Sequence, residues 1–64
     1  MTPGHFYKSK FTSLLVLCTA LNKNVSYLFE GTVIVGDENY TPGQVKTGWI
    51  NEQFEEAQDV KISY

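Results

Sequence analysis

The sequence predicts an all-β fold: a small SH3-like barrel of about five short strands, with one short helical turn before the last strand. Three observations lead there. Phe11–Leu21 and Tyr27–Val35 are two apolar runs joined by the polar turn Asn22-Lys23-Asn24, whose residues tolerate positive φ. The second run is rich in aromatic and β-branched residues: Tyr27, Phe29, Thr32, Val33, Ile34 and Val35. Short extended segments punctuated by Gly36, Pro42-Gly43 and Gly48 follow.

The chain has 64 residues, enough for one domain, and a core this small has a thin stability margin. Cys18 is the single cysteine, so no disulfide can form within the chain. Placed in an apolar run, it reads as a small buried hydrophobe in a reducing compartment, and the expected location is the cytoplasm. His5 is the single histidine, so a four-ligand zinc site is not expected, and neither metal nor cofactor is implied. That leaves good packing, for which nine aromatic side chains are present, or self-association.

From the amino terminus, Met1–Gly4 and His5 read as a frayed end. His5–Lys10 suits a short edge strand blunted by Lys8 and Lys10. Lys8-Ser9-Lys10 before Phe11–Leu21 also has the order of a secretory leader, and Leu15-Val16-Leu17-Cys18 that of a lipoprotein cleavage box. Leu17 stands where a small residue is required, and the run is shorter than the ~20 residues of a membrane-spanning helix. A strand is the expectation.

On the second strand Tyr27, Phe29, Gly31, Val33 and Val35 share a face, and Leu28, Glu30, Thr32 and Ile34 the other. Glu30 assigns the first set to the core, and Gly31 at mid-strand marks a bulge or bend. Gly36–Asn39 is a loop, and Thr41-Pro42-Gly43 a type II turn. Gln44–Thr47 reads as a short strand ended by Gly48. Trp49–Ala57 reads as one or two helical turns with Asn51 as N-cap and Ile50, Phe54 and Ala57 on one face. Val60–Tyr64 alternates as a closing strand.

Val16-Leu17-Cys18-Thr19, Phe29-x-Gly31-x-Val33-Ile34, Tyr40-x-x-Gly43, Trp49 and Phe54 together make a pattern over about two thirds of the chain. In it the chain resembles a group of short uncharacterised small-barrel proteins from gut bacteria and their phages. The resemblance implies a small barrel encoded by a phage or mobile element, acting in the host cytoplasm or the virion. It implies no site residue.

Chemistry-bearing constellations are sparse. Asp37-Glu38 and Glu55-Glu56 are neighbours in sequence, so their carboxylates diverge and read as solvated faces. No calcium-loop spacing or phosphate-cradling glycine pattern is present. The expectation is a non-catalytic protein-binding or structural module. Tyr7, Tyr40, Trp49 and Tyr64 are its candidate binding residues, set in an aromatic groove; the competing reading has Trp49 and Phe54 capping the core. The alternative function is nucleic-acid binding through the amino-terminal half. Residues 1–28 carry Lys8, Lys10 and Lys23 and no acid, while 29–64 carry seven acids against Lys46 and Lys61. The net charge of −2 and the absence of arginine argue against that partner. Finally, Leu15, Leu17 and Leu21 lie opposite Leu14, Val16 and Cys18, so one set cannot share the core. A homodimer is the simplest cover.

Overall fold

The computed structural model describes residues 1–57. They form five antiparallel strands in one sheet: β1 (Phe6–Ser9), β2 (Leu15–Leu21), β3 (Leu28–Val35), β4 (Val45–Ile50) and β5 (Phe54–Glu56). A single 3₁₀ turn, Asn51–Gln53, joins β4 to β5. The strand order is β4-β3-β2-β1-β5. The sheet curls so that its two outermost strands meet through side chains, Trp49 of β4 and Phe54 of β5 lying 5.8 Å apart edge to face. It is not closed by hydrogen bonds between β4 and β5. The all-β expectation holds, and so does the antiparallel pairing of the two long runs.

Its boundaries are corrected in places. Phe11–Leu14 is not strand: the Ser9 hydroxyl accepts the amides of Phe11 and Thr12, folding the chain into a local turn that competes with the ladder. β2 therefore starts at Leu15. The following turn is longer than Asn22–Asn24. The Asn22 side chain accepts the amides of Asn24 and Val25, and β3 begins only at Leu28, leaving Tyr27 outside it and exposed. β1 is not an edge strand, since β5 pairs on its far side and sets Glu55 against Lys8. Gly4 and His5 continue its pairing through hydrogen bonds with Cys18.

Gly48 does not end β4, which runs on to Ile50 so that Trp49 can pair with Phe29. The helical stretch shrinks to three residues. Its N-cap is Ile50 rather than Asn51, and no side chain caps it. Phe54–Glu56 is extended because it is drawn into the ladder of β1. The Pro42-Gly43 turn forms as read: the Gln44 amide donates to the Thr41 carbonyl at 3.2 Å, and Gly43 has φ +90°. The closing strand expected at Val60–Tyr64 lies outside the described residues.

The core lies on the concave face: Tyr7, Leu14, Val16, Cys18, Phe29, Val33, Trp49 and Phe54. Cys18 is fully buried there, as read from the sequence. Of the two leucine-bearing sets on β2, the core takes Val16 and Cys18 together with Leu14 just before the strand. Leu15 and Leu17 are left half-buried on the convex face. There the ladder partners Phe6, Leu17, Thr32 and Val45 form one row across four strands.

Gly31 sits at the tightest point of the core, opposite Cys18 and Lys46, with a register shift on each side of it in the flanking ladders. A Cβ on Gly31 would meet Val16 Cγ1 at 2.4 Å and the Leu17 carbonyl oxygen at 2.7 Å. The second is backbone and cannot swing aside. Gly31→Ala is expected to destabilise the fold by about 3 kcal/mol, the upper end of overpacking costs, read as a lowered urea midpoint. An unchanged midpoint would show that β2 and β3 separate freely there.

Candidate functional site

The segment Lys10–Leu14 acts as a strap over the open end of the core. Ser9 and Leu14 close its base through an amide-to-carbonyl bond of 2.8 Å. The Lys10 amide donates to the Gln53 carbonyl at 2.9 Å, tying the strap to the 3₁₀ turn. Thr12 Oγ1 donates to Asp37 Oδ2 at 2.8 Å, and Ser13 Oγ to the Gly36 carbonyl at 3.0 Å, tying it to the loop between β3 and β4. Serine and threonine are suited to this work because their short hydroxyls reach backbone and carboxylate while the chain turns.

Between the strap and β4 lies a cleft of about 280 Å³. Trp49, Phe54 and Leu14 line it with core surface, Tyr40 and Phe11 add aromatic rings, and Ser9, Asn39, Lys46 and Gln53 supply polar atoms. A second depression of about 280 Å³ lies against Phe11, Thr12, Ser13, Asp37, Glu38 and Asn39. Phe11 borders both and is 77 % exposed, the most exposed of the large apolar side chains among the described residues. The exposed ring of Phe11 extends the apolar lining of both depressions, which makes this face the candidate site.

The wall of the cleft is an aromatic chain. Tyr40 meets Trp49 at 4.9 Å, Trp49 meets Phe54 at 5.8 Å, and Phe54 meets Phe29 at 5.3 Å, all edge to face. Such pairs add about 0.5–1.5 kcal/mol each to the burial they represent. Lys46 Nζ lies 5.2 Å from the centre of the Tyr40 ring and 4.9 Å from that of Trp49, and donates to the Tyr40 hydroxyl at 3.0 Å. Its ammonium is thereby held against both rings at the cleft.

The four candidate residues separate. Tyr40 and Trp49 come together at the cleft. Trp49 is a core residue that shows only a small part of its surface, and its Nε1–H donates to the Gly31 carbonyl at 3.1 Å. The reading of Trp49 and Phe54 as caps of the core describes them well. Tyr7 is buried against Phe29, away from the cleft, with its hydroxyl accepting the Thr2 amide. Tyr64 lies outside the described residues. Phe11, Lys46, Asn39 and Gln53 were not among the candidates. Phe11 was hidden by its place at the start of an apolar run, and Lys46 had a visible signal in its spacing of six residues from Tyr40.

Among the described residues no group of three His, Cys, Asp or Glu side chains is placed to hold a metal ion. His5 contacts Glu56, and Lys8 lies 3.5 Å from Glu55, on partly exposed surfaces where such pairs contribute about 0–1 kcal/mol. Burial pushes the Cys18 thiol up, which disfavours the nucleophilic thiolate. No helix among the described residues is long and apolar enough to cross a membrane.

Asp37 is the centre of the latch. Its Oδ1 accepts the amides of Asn39 at 2.8 Å and Tyr40 at 3.0 Å while Oδ2 holds Thr12. The Asn39 amide most of all holds the carboxyl below the usual carboxylate range; desolvation opposes it, and the Thr12 hydroxyl and the Tyr40 amide add to the lowering. A carboxyl depressed in the folded state contributes stability above its unfolded pKa, and that contribution is lost as pH falls through the folded pKa. Acidification to below the ordinary carboxylate range should therefore release the strap, seen as line broadening or shifts of the Thr12, Asn39 and Tyr40 amides. Asp37→Ala should show the released pattern already at pH 7. If those amides titrate identically in wild type and variant, the latch does not rest on Asp37.

Compared with known protein families, with curated proteins and with solved structures, the chain matches none.

Proposed function

We propose that this chain is a non-catalytic protein-binding module on an SH3-like frame, with the cleft between the strap and β4 as its binding surface. The frame is supported by the strand order, by β1 lying between β2 and β5, and by the 3₁₀ turn between β4 and β5. The observation that carries the function is Phe11: a fully aromatic side chain, 77 % exposed, held by a hydrogen-bonded strap at the lip of an aromatic cleft. Its burial against a partner would contribute about 1.5–3 kcal/mol. The resemblance to short barrel proteins of gut bacteria and phages adds an origin to this reading, a phage or mobile element, with a host or virion protein as the partner.

Nucleic-acid binding finds less support. Lys10 follows β1 and Lys23 follows β2, so they stand at opposite ends of an antiparallel pair, and Lys8 lies beside Glu55. The lysines thus make no continuous stripe along which a phosphate backbone could run.

Peptides selected from a random library against the folded chain test the cleft. Their binding should shift the amide resonances of Phe11, Asn39, Lys46 and Gln53, and Phe11→Ala should weaken it about tenfold or more. Selected peptides that leave these resonances unmoved, or that bind Phe11→Ala equally well, would defeat the assignment.

Self-association belongs to the same reading, through a different surface. Leu15, Leu17 and Ile34 are the apolar residues a second copy would cover on the convex face, clear of the β4 edge. Light scattering at micromolar concentration should then find a particle larger than the 7.3 kDa chain, dissociated by Leu17→Lys without loss of the fold. A 7.3 kDa particle at every concentration ends the dimer.

A further inference from the structure

The strand that forms one wall of the cleft is also one edge of the sheet. β4 has β3 on one side and no strand on the other among the described residues. Its ladder pairs Trp49 with Phe29 and Lys46 with Gly31, and hydrogen bonds from Val33 to Gln44 and from Asn51 to Tyr27 fix which residues turn their backbone groups toward β3. In an antiparallel ladder the intervening residues turn theirs the opposite way. Val45 and Ile50 therefore present amides and carbonyls to the outside. Their side chains are 66 % and 40 % exposed.

Proteins usually blunt such an edge with an outward lysine, a proline or a very short strand. β5, at the other end of the sheet, has three residues. β4 has six, carries no proline, is interrupted by a one-residue register shift between Lys46 and Trp49 that leaves Val45 and Ile50 facing out on either side of it, and bears one charge, Lys46, whose ammonium is turned inward onto Tyr40 and Trp49. Two exposed acids lie near its ends: Glu38, after Asp37 in the loop before it, and Glu52 in the turn after it, where the Lys10 backbone bonds to Gln53.

We infer that the partner of this module is an extended peptide segment that adds to β4 as a sixth, antiparallel strand, with basic residues at its two ends facing Glu38 and Glu52. This rests on the protein-binding reading above and names its occupant. Backbone pairing supplies the affinity, and alternate side chains of the added strand reach either the exposed Val45 and Ile50 or the cleft behind Lys46. The cleft and the edge are continuous, because Lys46, Trp49 and Ile50 belong to both.

The test uses the unmodified chain and the peptides selected against it. Each peptide is resynthesised with N-methyl groups on alternate amides, in both registers. Methylation in the register facing β4 should weaken binding at least about tenfold and in the other register about twofold or less, since only one set of amides can bond to the edge. Bound peptide should protect the Val45 and Ile50 amides from hydrogen exchange, and Val45→Lys, at an exposed position that the fold does not need, should lower affinity. Replacing the terminal basic residues should weaken binding in low salt more than in high salt. If both methylated registers bind as well as the parent while the Phe11 and Asn39 resonances still shift, the cleft alone is the site and the added strand is refuted with the module reading intact. If no peptide binds, both fall. Protection of Val45 and Ile50 in dilute free protein would show an edge already covered. Protection that grows with protein concentration would show β4 pairing with a second copy. Either result overturns a peptide as the occupant.

Discussion

The fold depends on a missing side chain. At Gly31 the second and third strands approach more closely than two side-chain-bearing residues allow, and Val16 fills the space a Cβ would need. Three consequences meet at that point. The ladders on both sides of β3 slip by a residue, which bends the sheet. The Gly31 carbonyl is left to accept the Trp49 indole N–H, so the largest side chain of the protein is located by a residue with none. Phe29, two residues back on the same face, is then surrounded by Tyr7 and Phe54.

Small size makes this arrangement demanding. A 64-residue chain without a disulfide has few side chains to spare. Among the described residues eight buried apolar side chains do the work, and four of them are aromatic. Edge-to-face contacts run without a break from Tyr40 at the surface through Trp49 and Phe54 to Phe29 at the centre. A side chain seated against Tyr40 would therefore touch a ring in direct register with the core. The cleft is the place where the core reaches water.

Much of this was legible where a single residue dictates local geometry. Gly31 announced a bulge, Pro42-Gly43 a type II turn, and the alternation of Phe29, Gly31 and Val33 the core face; each signal depends on sterics or on strand period alone. The failures share a cause. Phe11–Leu14 looks like strand by composition, and only the Ser9 hydroxyl, which captures two amides, turns it into a strap. Trp49–Ala57 has the spacing of a helix face, but Trp49 is claimed by Gly31 and Phe54–Glu56 by β1, both distant in sequence. Contacts of that kind override local preference in a small sheet. The site suffered most, since Phe11 and Lys46 acquire their roles only once the strap closes over β4.

The same long-range demand explains why, among the described residues, β4 leaves one edge of the sheet unpaired. Trp49 has its ring against the open end of the core, where Tyr40 and Phe54 cover two sides and solvent would reach the rest. Lys46 precedes it on the inner face of β4, the register shift between them having absorbed one residue. Its aliphatic stem can therefore lie along the rings with the ammonium above them, a contact worth about 0.5–2 kcal/mol. A lysine used in this way cannot also stand outward and repel an approaching strand. Val45, Thr47 and Ile50 occupy the outward positions instead, and none carries a charge. Completion of the aromatic core and protection of the edge thus compete for one side chain, and in this molecule the core has it.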